Sequence, residues 1–425
     1  MTPAKRGKER EEPTPLDPSG PPATPGVEQG EEGPAPRVFI IAGEHSGDIH
    51  AANMFRAMKR LCPGARAQGI GGPEMKAAGV RLHRDIVKDL AIIGFIAVIQ
   101  KAPQIRELFA ITKTAITKAK PDALVLVDYP GFNIRIAEWA RRRGTKIVWY
   151  ISPQVWAWHR SRLYKLARIV HKMLVVFPFE VGLYREEGVD VEHVGHPLFD
   201  VIDVSLDREQ VCEANGLDPA RPVISIVPGS RKKEVKGFLP ILLEGARRYH
   251  EMDPEAQFAI ILAPTISRAA VRRDLERAEV DFPVAIVEEC RYSMRKHSDF
   301  SWVKSGTSTL EAAILGTPCL IVYRVNYLTW VIGKQIFTIG HIGLPNIVAG
   351  DRIVPELLQD EFTPRNLAEK TRHYLANPDE YARMVEDLQD VRKKLGGKGA
   401  SENAARAVLK VCGIQFPAAS PPEQS

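Results

Sequence analysis

Short, continuous apolar runs alternate with helical patterns along most of this chain, and the alternation begins a second time near its middle. In the first half the runs lie at residues 38–42, 123–127, 146–151 and 173–177. In the second half they lie at residues 222–227, 258–262, 284–287, 300–303 and 319–322. Apolar strands separated by helices are typical of a parallel sheet that is covered on both faces. The chain is therefore predicted to form two doubly wound, Rossmann-like α/β domains.

The length of 425 residues also favours two domains. We place a first α/β domain at 37–203, a second at 204–376, and helices that pack across both at 377–412. Residues 1–36 contain nine prolines and almost no large apolar side chains, so they are predicted to be a disordered tail, and residues 413–425 a frayed end. Two such domains that face each other would form a central cleft, where a ligand is expected.

Composition argues against several classes of protein. The longest nearly unbroken apolar stretch, residues 90–99, is too short to cross a bilayer, and the polar N-terminus has no secretory pattern. Five scattered cysteines without a C-x-x-C pair favour a reducing cytoplasm. The net charge is +6, and since the tail holds four basic and seven acidic residues, the rest carries +9. That charge suits an anionic partner such as phosphate, nucleic acid or a phospholipid surface, although ordinary surface lysines and arginines explain it equally well.

The motifs that bind nucleotides through a metal or a phosphate loop are missing. There is no G-x-x-x-x-G-K-[ST] sequence, and residues 69–72 lack the third glycine of a dinucleotide fingerprint. There is also no D-x-D pair to hold a divalent ion beside a sugar nucleotide. We therefore predict neither a metal nor a cofactor, and we expect helix N-termini and cationic side chains to offset the charge of any bound phosphate.

Two segments of the second half are candidates for an anion site. The S-G-T-S-T run directly follows the strand at 300–303 and should begin a helix with a hydroxyl N-cap and free N–H groups. Glu311, about one turn inside, could accept hydrogen bonds from ribose hydroxyls. The P-G-S-R turn follows the strand at 222–227, and the Arg231 guanidinium suits a diphosphate. The structural alternatives are a capped helix and a solvated arginine.

Three segments of the first half carry further candidates. Asp128 ends an apolar strand and is suited to taking a proton from an attacking hydroxyl, unless it only forms a turn. The G-E-H-S-G-D turn, which contains Glu44, occupies the same position after the first strand, unless it is only a Ser46 N-cap with turn glycines. The third segment is the apolar stretch at residues 90–99, which is either core or an exposed patch that meets lipid. Its large side chains include Ile92, Ile93, Phe95 and Ile96.

These segments belong to an ordered series of motifs. The first half contains G-E-x-S-G-D from Gly43, G-G-P-x-M ending at Met75, D-Y-P-G-F-N from Asp128, Y-I-S-P-Q-V-W-A-W from Tyr150, P-F-E from Pro178 and V-G-H-P from Val194. The second half contains P-G-S-R from Pro228, S-G-T-S-T-L-E from Ser305, Y-R-V from Tyr323, L-P-N from Leu344 and V-P-E-L-L-Q from Val354. In this order, from about residue 37 to residue 412, the series resembles the lipid-A-disaccharide synthase family.

The resemblance implies a GT-B fold and an inverting transfer of 2,3-diacylglucosamine from its UDP derivative to 2,3-diacylglucosamine 1-phosphate. It implies Asp128 as the general base and acyl chains near the apolar segment at residues 90–99. Glu44, whose loop ends the facing strand, is the next candidate for the base. It implies a cytoplasmic enzyme, peripheral on the inner membrane, that binds no nucleic acid and that could be a homodimer. The residues expected to hold the UDP-sugar are Gly229, Ser230, Arg231, Ser305, Gly306, Thr307, Ser308, Thr309, Glu311 and Asn346.

Two other functions remain open at this point. A UDP-N-acetylglucosamine 2-epimerase would have the same two-domain fold and a similar UDP site, but it would not need an exposed apolar patch. A non-catalytic nucleotide-sensing module would keep Arg231 and Glu311 but would need no Asp128. Release of UDP only when the diacylated acceptor is present would indicate transfer, whereas turnover of the sugar nucleotide alone would indicate isomerisation or hydrolysis.

Overall fold

The structure is a computed structural model that describes residues 35–86, 102–153, 160–326 and 340–416. The described residues from Pro36 onward belong to one compact unit. The predictions for residues 1–34 of the tail and for residues 417–425 fall outside the described ranges. So do the predictions for the four apolar side chains Ile92, Ile93, Phe95 and Ile96.

The first sheet has seven parallel strands in the order β3-β2-β1-β4-β5-β6-β7. Its strands are β1 (Arg37–Ala42), β2 (Arg66–Gly71), β3 (Arg81–Asp85), β4 (Ala123–Val127), β5 (Lys146–Tyr150), β6 (Lys172–Val175) and β7 (Val191–His193). The central strands β1 and β4 are buried along nearly their whole length because helices cover both faces of the sheet.

The second sheet has six parallel strands in the order β10-β9-β8-β11-β12-β13. Its strands are β8 (Val223–Val227), β9 (Gln257–Ile261), β10 (Val284–Val287), β11 (Phe300–Lys304), β12 (Cys319–Tyr323) and β13 (Glu356–Leu358). The two doubly wound parallel sheets that the apolar runs predict are thus confirmed.

Helices connect the strands and continue after the last one. In the first half they are α1 (His45–Leu61), α2 (Pro73–Ala77), α3 (Ala102–Ala119), α4 (Pro130–Arg141), α5 (Arg160–Ile169), α6 (Glu180–Glu186) and α7 (Leu198–Val201). In the second half they are α8 (Arg208–Glu213), α9 (Lys232–Met252), α10 (Arg268–Arg277), α11 (Arg291–His297), α12 (Thr307–Leu315) and α13 (Leu344–Ala349). After the last strand come α14 (Pro364–Ala376), α15 (Pro378–Leu395) and α16 (Ala400–Val411), and the last two are the helices that the sequence predicts at 377–412.

The last two helices pack against different sheets. Helix α15 contacts α12 and α13 beside the second sheet, whereas α16 contacts α1 and the strands β4 to β6 of the first sheet. The start of α16 is held by Asp200, whose carboxylate accepts the backbone N–H groups of Gly399 at 2.7 Å and Ser401 at 2.8 Å. Because Asp200 belongs to α7, the final helix is fixed to the first half of the chain. Across the described ranges, no helix is long and apolar enough to span a membrane.

Candidate functional site

Each sheet has one point at which the strand order reverses. In the first sheet it lies between β1 and β4, and in the second between β8 and β11. Open α/β sheets bind ligands outside the carboxyl ends of the strands at such a point. The loops that begin with Gly43 and Asp128 flank the first reversal, because Ala42 and Val127 are paired in register. The loops that begin with Pro228 and Ser305 flank the second. The segments selected from the sequence therefore lie beside the two reversals.

Asp128 leaves β4 in an unusual backbone conformation. Its φ is +46° and that of Tyr129 is +50°, a left-handed region that non-glycine residues rarely adopt. Two contacts hold this turn: the amide of Asn133 donates to the Asp128 carbonyl at 2.7 Å, and the Asp128 N–H donates to the Tyr150 carbonyl at 3.3 Å. Helix α4 and strand β5 thus stabilise this strained backbone conformation.

The two loops at the first reversal are in close contact. A Cβ on Gly43 would lie 2.2 Å from Cγ of Tyr129, so only glycine allows this approach. Burial raises the pKa of Asp128 to about 6, the negative charge of Glu44 adds to the rise, and a hydrogen bond from the Tyr129 backbone opposes it. A carboxyl group with such a pKa can be deprotonated at neutral pH and still be basic enough to take a proton.

Asp48 explains why two of the motifs occur together. Its buried carboxylate accepts the backbone N–H groups of Gly72 at 2.8 Å, Glu74 at 2.9 Å and Met75 at 3.1 Å. It therefore joins the G-E-x-S-G-D turn to the start of α2. The alternative expectation of a Ser46 N-cap is wrong, because α1 begins at His45 with Glu44 as the N-cap, and no side chain makes the capping hydrogen bond.

At the second reversal, the P-G-S-R turn packs against the carboxylate of Glu234. Gly229 has a φ of +117°, and a Cβ there would lie 2.7 Å from Oε2 of Glu234. Arg231 is the N-cap of α9, and its guanidinium, about half exposed, donates to Glu234 Oε1 at 3.1 Å. Ser230 is exposed beside it. The predicted diphosphate ligand Arg231 is thus accessible and has an internal anionic partner.

The hydroxyl-rich run is arranged differently from the expectation. Gly306, not a hydroxyl residue, is the N-cap of α12, and its φ of +152° is one that glycine tolerates. Ser305 Oγ donates to the Ile342 carbonyl at 3.2 Å, and Thr309 Oγ1 donates to the Gly306 carbonyl at 2.7 Å. These two hydroxyls stabilise the turn, while Thr307 is exposed and Ser308 partly exposed at the helix N-terminus. The predicted hydroxyl N-cap is wrong, but the helix start remains accessible.

Glu311 is held by two residues that the sequence did not single out. The buried guanidinium of Arg295 makes an ion pair with Glu311 Oε2 and also donates to the Ser308 carbonyl at 2.6 Å. Burial, followed by the charge of Glu311, raises the pKa of Tyr292 to about 12. Both residues belong to α11, so α11 positions the Glu311 side chain near the start of α12.

Asn346 requires a correction. Its side chain is completely buried. Its amide N–H₂ donates to the Val354 carbonyl at 3.0 Å and to Glu356 Oε1 at 2.8 Å, while its oxygen accepts the N–H groups of Ile353 and Val354, each at 2.9 Å. Because both ends of the amide are used inside the protein, we assign Asn346 to positioning the 340–356 segment rather than to direct contact with a sugar nucleotide.

Comparison with known proteins decides the family. A family model described as lipid-A-disaccharide synthetase matches residues 38–411. The chain belongs to this family. A lipid-A-disaccharide synthase of Geobacter metallireducens is 42% identical over 380 residues, covering 89% of this chain and 98% of that protein. The synthase of Geobacter sulfurreducens is 40% identical over 379 residues, with 89% and 98% covered. Membership in the lipid-A-disaccharide synthetase family makes the chain a hexosyltransferase of lipid A biosynthesis and confirms the activity that the motif series implies.

Solved structures with a similar fold include an epimerase and a glycosyltransferase. The UDP-GlcNAc 2-epimerase of Neisseria meningitidis bound to UDP-GlcNAc has a TM-score of 0.60 at 13% identity, covering 88% of this chain and 100% of that one. The glycotransferase of kitacinnamycin has a TM-score of 0.60 at 13% identity, covering 89% and 99%. At this identity the likeness shows the fold alone, and it agrees with the GT-B architecture expected for the lipid-A-disaccharide synthetase family.

Proposed function

We propose that this chain transfers 2,3-diacylglucosamine from its UDP derivative to 2,3-diacylglucosamine 1-phosphate. The product would be the β-1,6-linked disaccharide 1-phosphate, released together with UDP. Membership in the lipid-A-disaccharide synthetase family supports this reaction. The structural observation that carries the proposal is the place of the Asp128 carboxyl group at the reversal of the first sheet, where burial raises its pKa and the charge of Glu44 raises it further, as suits a base for an acceptor hydroxyl.

In the proposed step, Asp128 takes the proton of the acceptor 6-hydroxyl. The oxygen of that hydroxyl attacks the anomeric carbon of the donor at the same time. The bond between that carbon and the β-phosphate oxygen breaks, its electron pair remains on UDP, and the configuration at the carbon inverts. Burial and the charge of Glu44 raise the pKa of Asp128 to about 6, which brings it close to the pH at which a general base is most effective.

The second sheet supplies groups that suit the nucleotide. The exposed guanidinium of Arg231 would contact the diphosphate, together with the free backbone N–H groups of Thr307 and Ser308 at the start of α12. Glu311, oriented by Arg295, would accept hydrogen bonds from the ribose hydroxyls. These contacts would offset the negative charge that develops on the departing UDP. Stabilising charge that develops in the transition state lowers the activation barrier of the transfer.

We infer that the enzyme acts at the cytoplasmic face of the inner membrane, because both proposed substrates carry acyl chains. The net charge of +9 outside residues 1–36 suits an anionic lipid surface. The apolar side chains Ile92, Ile93, Phe95 and Ile96 remain the proposed contact with acyl chains.

Two isosteric substitutions separate proton transfer from nucleotide binding. Asp128→Asn should lower kcat by about 10²–10⁴-fold, since it removes the base, and should leave UDP affinity unchanged. Glu311→Gln should weaken UDP binding by about tenfold or more, because a charge-assisted hydrogen bond is lost, while proton transfer is retained; since it also leaves Arg295 without its anionic partner, the free energy of unfolding is measured alongside. Steady-state kinetics with saturating acceptor and titration calorimetry with UDP measure the two quantities. Near-normal kcat in Asp128→Asn would show that Asp128 is only a turn residue.

A further inference from the structure

Lys304 lies at the reversal of the second sheet, although no motif drew attention to it. It is the last residue of β11 and comes directly before Ser305. Strand β11 pairs with β8, and the pairing ends at Val303 and Val227. Lys304 itself stays in the sheet, paired with Val322 of β12, while across the reversal the P-G-S-R turn begins at Pro228. Lys304 thus lies next to the turn that carries Arg231.

One carboxylate oxygen holds both cations. Glu234 Oε1 accepts from Lys304 Nζ at 2.9 Å and from Arg231 Nη1 at 3.1 Å. The side chains of Lys304 and Glu234 are only 14% and 18% exposed, whereas that of Arg231 is 51% exposed. The Lys304 ammonium also lies 5.6 Å from the centre of the Tyr323 ring. Lys304 is thus a sheltered cation held by a carboxylate, and Arg231 is its more exposed neighbour.

The group formed by Lys304, Arg231 and Glu234 has an excess of positive charge, which a bound anion would neutralise. Two cations share one carboxylate, so the group carries a net charge of +1. Burial raises the pKa of Glu234, but Lys304 and Arg231 together outweigh that effect and keep its pKa below the ordinary value. An ammonium has three N–H donors. Within the described ranges Glu234 Oε1 is the hydrogen-bond acceptor of Lys304, which leaves donors for oxygens of a ligand.

We propose that Lys304 is a second cation that contacts the diphosphate of the sugar nucleotide, paired with Arg231 through Glu234. The inference rests on the proposed function, since it assigns another contact to the same nucleotide site. When the bond between the anomeric carbon and the β-phosphate oxygen breaks, the electron pair stays on UDP. Lys304 then stabilises that added charge from a preorganised position, which a solvated lysine could do only after losing its freedom.

The test compares ligands with and without phosphate. Lys304→Met keeps much of the side-chain length and removes the charge, so UDP affinity should fall by about 10–100-fold, as expected for one charge-assisted hydrogen bond. Affinity for uridine, measured by competition, should stay within about twofold because uridine has no phosphate. Lys304→Arg should recover part of the UDP affinity. Lys236→Met, at an exposed lysine of α9, is the matched control and should bind UDP like the unaltered protein.

The possible results separate this inference from the proposed function. Weaker UDP binding with unchanged uridine binding supports it. Unchanged UDP affinity in Lys304→Met overturns it, even if the unaltered protein binds UDP and transfers sugar. An equal loss for UDP and uridine overturns it as well, because that pattern indicates a structural role. If the unaltered protein binds no UDP, the proposed function itself fails, and the inference fails with it.

Discussion

The environment of Asp128, more than its place at the end of a strand, gives it the properties of a base. Burial raises its pKa to about 6, and the negative charge of Glu44 adds to the rise. A raised pKa means that Asp128 is protonated, and therefore inactive as a base, below about pH 6. The account predicts that kcat/KM falls as the pH is lowered through this value.

Replacing Glu44 tests the cause of that shift. Glu44→Gln removes the negative charge that disfavours ionisation of Asp128, so the acidic limb of the pH profile should move to lower pH. The measurement is kcat/KM across the pH range for both proteins. Glu107→Gln, at an exposed glutamate of α3, should leave the limb in place. A limb that does not move in Glu44→Gln would mean that the two carboxyl groups are not coupled.

Arg295 supports the proposed nucleotide site from inside the protein. It is 3% exposed and its partner Glu311 is 16% exposed, so removing one charge leaves the other without compensation. Arg295→Met should lower the free energy of unfolding by about 3–5 kcal/mol. Arg277→Met, which removes an exposed ion pair with Asp274, should change it by no more than about 1 kcal/mol. Urea denaturation measures both variants, and similar losses in the two would refute the role of Arg295.

Residue types and motifs identified much of the candidate site, but not its internal contacts. Asp128 and Arg231 could be selected because both follow apolar strands whose carboxyl ends meet ligands in such sheets. Arg295 could not, because it lies on α11 and meets Glu311 only after the helices pack. For Asn346, membership in a motif did not reveal whether the side chain faces a groove or the interior.

At the scale of elements, motifs that are distant in sequence hold each other in place. Asp48 binds the backbone that begins α2. Asn346 of L-P-N binds Glu356 of V-P-E-L-L-Q. Gln359 at the end of that motif accepts the backbone N–H of Val325 in Y-R-V at 2.8 Å. These pairs explain why an ordered motif series can mark a fold as well as a function.

The apolar runs predicted the central strands well and missed strands of other composition. The run at 123–127 and the run at 284–287 coincide with β4 and β10. Strand β2 was missed because its sequence contains Gly69, where a Cβ would lie 2.2 Å from the Ile40 carbonyl oxygen. Strand β3, R-L-H-R-D, was missed because it is an edge strand whose side chains are mostly exposed or half-buried. A run of apolar residues marks a buried strand, so the pattern misses polar edge strands and strands in which glycine allows close backbone contact.

One side chain of the first half caps the start of the last helix. Asp200 caps α16 through the N–H groups of Gly399 and Ser401. Asp200→Ala should lower stability by about 0.5–2 kcal/mol, as for the loss of other capping side chains, and should speed hydrogen exchange in the first turns of α16. Exchange followed by mass spectrometry would localise the effect. Asp203→Ala, at an exposed residue beyond α7, should cause no such change, and equal exchange in both variants would contradict the capping role.

At the scale of the whole molecule, the first half supplies the proposed base and the second half the proposed nucleotide contacts. The described ranges contain no group of three or more His, Cys, Asp or Glu residues arranged to hold a metal ion. The proposal assigns the charge of the departing UDP to Arg231 and to the N–H groups at the start of α12. We expect turnover to be unchanged in EDTA. Activity that is lost in EDTA and restored by magnesium or manganese would contradict this assignment.

The central claim is that this chain joins two lipid-linked sugars and releases UDP only as part of that transfer. The most direct measurement is UDP release from UDP-2,3-diacylglucosamine with and without 2,3-diacylglucosamine 1-phosphate. The account predicts release that requires the acceptor and that equals the disaccharide formed, mole for mole. UDP release at the same rate without acceptor, or conversion of the donor sugar with no UDP released, would contradict it and would indicate hydrolysis or isomerisation instead.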